Sequence, residues 1–190
     1  MSKQTIIDLF QAYNPSTPQE IQDKETMLKY LNDFDDIFTR DNVYAHFTSS
    51  AWIVNKDRTK VLLAYHNIYD SWAWTGGHVD GDTDFINVAV REAKEETGVD
   101  VHPLSNEFAC IDVLPVWGHM KRGKWVSSHQ HLSVAYVMEA DETQELKMKE
   151  DENSGVKWFP VDEVLKVCTE PDMHYVYKKL MDKAKEFAPK

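Results

Sequence analysis

The segment Arg91-Glu92-Ala93-Lys94-Glu95-Glu96-Thr97-Gly98 sets three carboxylates at i, i+3 and i+4. On a helix these positions share one face. Like charges at such spacings repel by about 0.2–0.5 kcal/mol per pair, so the pattern calls for a cation among them. Arg91 and Lys94 are local counterions, and with them alone the segment is a solvated, charge-laced helix. A divalent metal is the other solution. Carboxylate oxygens are hard ligands that favour Mg²⁺ or Mn²⁺ over zinc, and Mg²⁺ keeps several waters while also holding substrate phosphates.

The flanks of this segment carry more information. Residues 77–99 read GHVDGDTDFINVAVREAKEETGV, which closely resembles the Nudix box: Gly, five residues, Glu, seven residues, then Arg-Glu-aliphatic-any-Glu-Glu-any-Gly-aliphatic. Gly77, Arg91, Glu92, Glu95, Glu96, Gly98 and Val99 fall in register, and Ala93 fills the aliphatic slot with a smaller residue. One position departs. Thr83 stands where the family has its first glutamate, with Asp82 and Asp84 on either side. In the family that glutamate pairs with the arginine and steadies the loop, so the resemblance hands this role to an Arg91 pair with Asp82 or Asp84.

The resemblance implies an α/β Nudix fold, an α/β/α sandwich with a mixed β-sheet. It also implies a metal-dependent pyrophosphohydrolase that cleaves a nucleoside diphosphate linked to another group. Glu92, Glu95 and Glu96 would hold Mg²⁺ (or Mn²⁺), which polarises a phosphoryl oxygen and acidifies a water. Arg91 belongs to the same machinery. Gly77, beside Gly76, lets metal or ligand approach its backbone closely because no side chain intervenes. The base is either a box glutamate or one from a later loop, and Glu150 and Glu152 are the candidates there. Pro115, sixteen residues beyond Val99, resembles the spacing of the ADP-ribose pyrophosphatase group and points to ADP-ribose or another ADP-sugar. Two other readings stay open. A nucleotide-sensing Nudix module that does not cleave is motivated by Thr83. An isoprenoid diphosphate isomerase-like enzyme would need a cysteine and a glutamate, but Cys110 and Cys168 both follow the box.

These residues need a scaffold. Thr17-Pro18-Gln19-Glu20 has the form of a capped helix start, followed by Ile21, Leu28 and Leu31 at helical spacing. With an earlier apolar segment, Ile6 to Tyr13, it makes residues 1–45 a helical extension that covers either a core edge or a homodimer interface. The domain proper then runs from 46 to 190. HFTSSAWIVN and KVLLAYH read as a hairpin around the turn at 56–59, and a short Trp72-Ala73-Trp74 strand runs into Gly76-Gly77. The box helix spans about 84–97 and stops at Gly98 as its cap. Strands follow near 108–116, 131–138 and 156–159, with helices near 161–168 and 172–187.

Several other residues suit ligand contact. His78 sits in the box loop, and Trp74 with Trp72 offers an aromatic wall for a base or ribose, core packing being the ordinary role of tryptophan. Gly118 to Lys124 resembles a P-loop but has Trp125 where a metal-binding hydroxyl belongs, so it is a hairpin tip. Its Lys121 and Arg122 form, with Lys124, the basic cluster best placed to attract phosphates. His129 and His131 alternate on a strand and face one way, which by itself makes a polar strand face.

Composition bounds the rest. The chain has 190 residues, 42% hydrophobic and 12% aromatic, enough for one globular domain. A net charge of -11 argues against a nucleic-acid polymer as partner and leaves small phosphate compounds whose charge metal ions bridge. No apolar run approaches membrane-spanning length and the N-terminus has no signal-like core, so a cytoplasmic protein without a membrane partner is expected. The two isolated cysteines read as small buried hydrophobes.

Overall fold

Hydroxyl caps start the two N-terminal helices. The computed structural model, which describes residues 1–121, 123–149 and 151–188, places α1 at Lys3–Ala12 and α2 at Pro18–Asp33. Ser2 and Thr17 accept from the backbone N–H groups of Thr5 and Glu20. Glu20 differs from a reciprocal capping box in its partner. Its buried carboxylate accepts from the Ser16 N–H and hydroxyl at 2.7 and 2.8 Å and from Tyr13 Oη at 2.9 Å.

The predicted hairpin forms from β1 (Ala45–Val54) and β2 (Lys60–His66), with Ile53 opposite Leu62. Asn55 closes its turn, the side-chain oxygen accepting from the N–H groups of Thr59 and Lys60, while Arg58 takes a positive φ of 59°. The single strand expected at 72–74 is two strands. β3 (Ser71–Ala73) pairs with β2, and β4 (Thr75–His78) pairs with β1 and contains both glycines. Trp74 is the residue between them, where the chain changes partner.

The box helix, α3, covers Phe85–Thr97, and Gly98 ends it at φ 77° with its N–H on the Lys94 carbonyl at 2.9 Å. β5 (His102–Pro103), β6 (Cys110–Val116), β7 (His119–Lys121), β8 (Lys124–Val126), β9 (His129–Glu139) and β10 (Asn153–Pro160) follow. Then come α4 (Val164–Val167) and α5 (His174–Lys185), each entered through a 3₁₀ turn. The decoy P-loop is the hairpin of β7 and β8, as expected. The main sheet runs β10-β2-β1-β9-β5, with β3, β4 and β6 attached to β2, β1 and β9 respectively. The fold is of the α/β class that the sequence predicts.

The chain divides into two compact units, and β1 and β9 each run through both. The first holds Met1–Ser49, His78–Phe85 and Ile111–Val134. Its core is aromatic: the Phe47 ring lies 5.5 Å from Phe10, 5.5 Å from Phe38 and 5.4 Å from Phe85, so α1 is anchored on the start of β1. The second holds Ser50–Gly77, Ile86–Cys110 and Ala135–Lys190. There Trp52 packs against Tyr177 of α5 at 5.1 Å, and β10 lies along β2 from Asn153 opposite His66 to Pro160 opposite Lys60. Cys110 and Cys168 are buried in this unit, as the composition suggests. No helix among the described residues is long and apolar enough to cross a membrane.

Candidate functional site

The glutamates occupy graded positions on α3. Its buried residues are Phe85, Val88, Ala89, Ala93, Glu96 and Thr97, which is one face at helical spacing. Glu96 sits on that face and is 5% exposed. Glu92, one turn earlier, has 15% of its side chain exposed, and Glu95, at the rim, has 46%. The three carboxylates thus step from interior to surface, an ordering that the spacing alone did not show.

Each is held by a different part of the second unit. The Gly76 N–H donates to Glu96 Oε1 at 2.9 Å and Asn153 Nδ2 to its Oε2 at 3.1 Å. Gly77 lies directly against Glu92: a Cβ there would fall 2.5 Å from the Glu92 carboxyl carbon. Arg91 stands 3.8 Å from Glu92 and 4.0 Å from Glu95. A turn in which the Lys149 carbonyl accepts from the N–H groups of Glu152 and Asn153 brings a second cation, with Lys149 Nζ 3.6 Å from Glu95 and 2.8 Å from Glu152. The same turn presents Glu152 and Asn153 to the helix. Its base is fixed where the Lys147 N–H donates to the Thr97 carbonyl at 2.8 Å, beside Gly98.

Burial and like charge set the protonation of the cluster. Burial pushes Glu96 up to about 7 against the two hydrogen bonds it accepts, with Glu92 and Glu152 adding in the same direction. Glu92 is raised by burial first and by Glu95 second. The Lys149 ammonium is raised, chiefly by its hydrogen bond to Glu152. A buried, crowded carboxylate set beside a glycine with no side chain fits a small hard cation.

The sequence-predicted residues fall into three groups. Arg91, Glu92, Glu95, Glu96, Gly77 and Glu152 come together in the second unit. Trp74 belongs to the same unit but packs on Tyr177, its ring 5.9 Å away and its backbone N–H donating to the Tyr177 hydroxyl at 3.2 Å. Trp72 turns to Tyr65 and Phe159, so the two indoles do not form a joint wall. His78 and Lys121 belong to the first unit, where His78 packs against His46 and His131 at 5.0 and 4.9 Å. Arg122 and Glu150 lie outside the described residues. Thr83 bonds to the N-terminal residue, its hydroxyl donating to the Met1 carbonyl at 2.8 Å, and Asp82 accepts from the Asp84 N–H at 3.0 Å in an Asx turn that leads into α3. Lys149 and Asn153 were missed by sequence reasoning. For Lys149 the three-residue spacing to Glu152 was a usable signal, whereas nothing local marks Asn153.

Comparison with known proteins identifies the family of the chain. A family model for the NUDIX domain matches residues 44–182, which include Glu92, Glu95, Glu96 and Glu152. The chain belongs to the Nudix family. As a Nudix hydrolase it acts on phosphoric anhydride bonds, in a family that generally uses a divalent metal. A curated relative from Pelagibacter ubique (strain HTCC1062), an RNA pyrophosphohydrolase, is 28% identical over 142 residues, covering 70% of this chain and 87% of its own. Among solved structures, a C. elegans Ap4A hydrolase binary complex matches with a TM-score of 0.55 at 18% identity, over 74% of this chain and 98% of its own. A NUDIX-family hydrolase from Clostridium perfringens matches with 0.51 at 23%, over 72% and 96%. At these identities the structures share the fold. The exclusion of nucleic-acid polymers drawn from net charge finds no support, because the Pelagibacter relative is by name an RNA pyrophosphohydrolase.

Proposed function

We propose that this Nudix hydrolase cleaves a nucleoside diphosphate linked to a second group, with ADP-ribose or a related ADP-sugar as substrate, at a Mg²⁺ or Mn²⁺ centre held by Glu92, Glu95 and Glu96. The observation that carries this reading is the graded carboxylate set against the bare backbone of Gly77. When bound, the metal neutralises the pyrophosphate, polarises a phosphoryl oxygen and acidifies a water. The chain's own residues do the rest. Gly76 and Asn153 orient the Glu96 carboxylate through both oxygens. Arg91 and Lys149 balance charge around Glu95. Glu152 takes a proton from the attacking water as its oxygen bonds to phosphorus and the bridging P–O bond breaks. Lys149, 2.8 Å away, fixes the position of the Glu152 carboxylate. The division into an extension, 1–45, and a domain, 46–190, is part of the same proposal.

Gly77→Ala probes the site without touching a carboxylate. The added methyl would meet Glu92 atoms at 2.5–2.8 Å, so Glu92 must move. Divalent-metal affinity is expected to fall by about 10- to 100-fold, as when a ligand loses its support, and isothermal calorimetry with Mn²⁺ reads this directly.

The substrate assignment is tested by a phosphate- and nucleotide-release screen over ADP-sugars, dinucleoside polyphosphates, nucleoside triphosphates and 5′-triphosphorylated RNA, with Mg²⁺ or Mn²⁺. ADP-ribose or an ADP-sugar is expected to show the highest kcat/KM. Preferential cleavage of RNA ends or dinucleoside polyphosphates would overturn the ADP-sugar reading and leave the metal site standing. Tight binding of a nucleotide without turnover would instead favour the sensing module that Thr83 raises.

A further inference from the structure

The first unit contains a cluster of histidines that the carboxylate chemistry does not use. His46 comes from β1 and His129 and His131 from β9, and one ring nitrogen from each lies within 4.8 Å of the other two. The imidazoles pack as a triangle, with ring centres 4.8, 5.2 and 5.2 Å apart. His78 covers one side, against His46 and His131. A polar strand face, which the sequence suggests for His129 and His131, would leave these nitrogens to water. Instead Nε2 of His46 and Nε2 of His131 are buried with no hydrogen-bond partner, a costly arrangement unless something accepts their lone pairs.

We propose that His46, His129 and His131 form a binding site for a borderline divalent transition metal, best matched by Zn²⁺, separate from the glutamates of α3.

Three features support it. First, the donor set is right: neutral imidazole suits zinc, nickel and copper, and three histidines plus an open position is a recognised zinc arrangement. Second, two of the rings are already oriented as ligands. Nδ1 of His46 faces the Asn42 carbonyl at 3.1 Å and Nδ1 of His129 the Ser127 carbonyl at 2.8 Å. Donation there fixes the tautomer that leaves Nε2 bare, the usual support for a metal-bound histidine. Third, Nε2 of His46 and Nε2 of His131 are buried with no hydrogen-bond partner, the place a metal would fill. An anion would need imidazolium donors. Arg40 is itself bound at two points by Asp80, at 2.8 and 2.6 Å, which offsets its charge. Tetrahedral nitrogens on zinc stand about 3.4 Å apart at bond lengths of about 2.0–2.1 Å. The rings need only close in from 4.8 Å, which small side-chain rotations accomplish.

The test uses the full chain stripped of metal, in excess Mg²⁺ to fill the carboxylate site. Zn²⁺ is expected to bind with a stoichiometry of one per chain, both in the unmutated protein and in Glu95→Gln. In His129→Ala, at a position less buried than His46, Zn²⁺ affinity should fall by more than about 100-fold, beyond the loss typical of a mere supporting partner. Co²⁺ substitution in the unmutated protein should give the intense visible bands of a four-coordinate nitrogen site, so the outcome does not hang on the folding of a variant. Unchanged Zn²⁺ binding in His129→Ala, loss of binding in Glu95→Gln, or a pale six-coordinate Co²⁺ spectrum would each overturn the proposal. Stabilisation by inorganic phosphate in place of Zn²⁺ would overturn it too.

Discussion

Glu95→Gln is expected to lower kcat/KM by about 100- to 10,000-fold, the range that a positioned acid-base or electrostatic group contributes, while leaving the fold intact. The two halves of this expectation have separate causes. Glu95 sits at the rim of the helix face with nearly half its side chain in solvent, and its ion pairs with Arg91 and Lys149 are long, at 4.0 and 3.6 Å. Exposed pairs of this kind contribute on the order of 0–1 kcal/mol, so Tm should stay within a few degrees of the unmutated value. The loss of rate corresponds to about 3–5 kcal/mol of transition-state stabilisation, which no exposed ion pair supplies. Steady-state kinetics at saturating Mg²⁺ beside a thermal melt separate the two. If activity survives with Tm unchanged, Glu95 is only a counterion for Arg91 and Lys149, and α3 is the solvated, charge-laced helix that its sequence also permits.

That ambiguity shows what sequence makes legible. Periodicity put Glu92, Glu95 and Glu96 on one face, because helix geometry is local and the spacing determines it. It did not rank their burial, which depends on what covers the face: β4 through Gly76 and Gly77, and the turn carrying Asn153. The cap at Thr17 was legible for the same local reason, while the partners of the buried Glu20 proved to be Ser16 and Tyr13. Trp72 and Trp74 show the opposite failure. Alternation along one strand predicts a shared face, but the chain changes strand partner at Trp74, so the indoles part. His129 and His131 read in sequence as a polar strand face because the third imidazole, His46, is some eighty residues away. Only the pairing of β9 with β1 brings them together.

Glu96 yields the second large effect, in stability. Its carboxyl group has an ordinary value of 4.5 and is raised to about 7 in the folded protein, first by burial. A raised carboxylate favours folding while it stays protonated, so its contribution is fully present below about pH 4.5 and is lost as pH rises to about 7. Glu92 shifts the same way. Metal-free protein should therefore lose on the order of 3 kcal/mol across this window from Glu96, a fall in Tm of about 5–10 °C for a chain of this size. Mg²⁺ or Mn²⁺ binds the ionised form, so its stabilising effect should be small at pH 5 and large at pH 8. Glu96→Gln keeps the shape and can still accept from Gly76, yet it has no proton to lose. Its metal-free Tm should fall much less from pH 5 to pH 8, the remaining slope coming from Glu92, and added metal should raise it far less than in the unmutated protein. Thermal melts of both proteins over this range, with and without metal, read the two effects together. A metal-free Tm of the unmutated chain that rises between pH 5 and pH 7 would mean that Glu96 is ionised at a cost the fold already meets, leaving metal with no buried charge to neutralise.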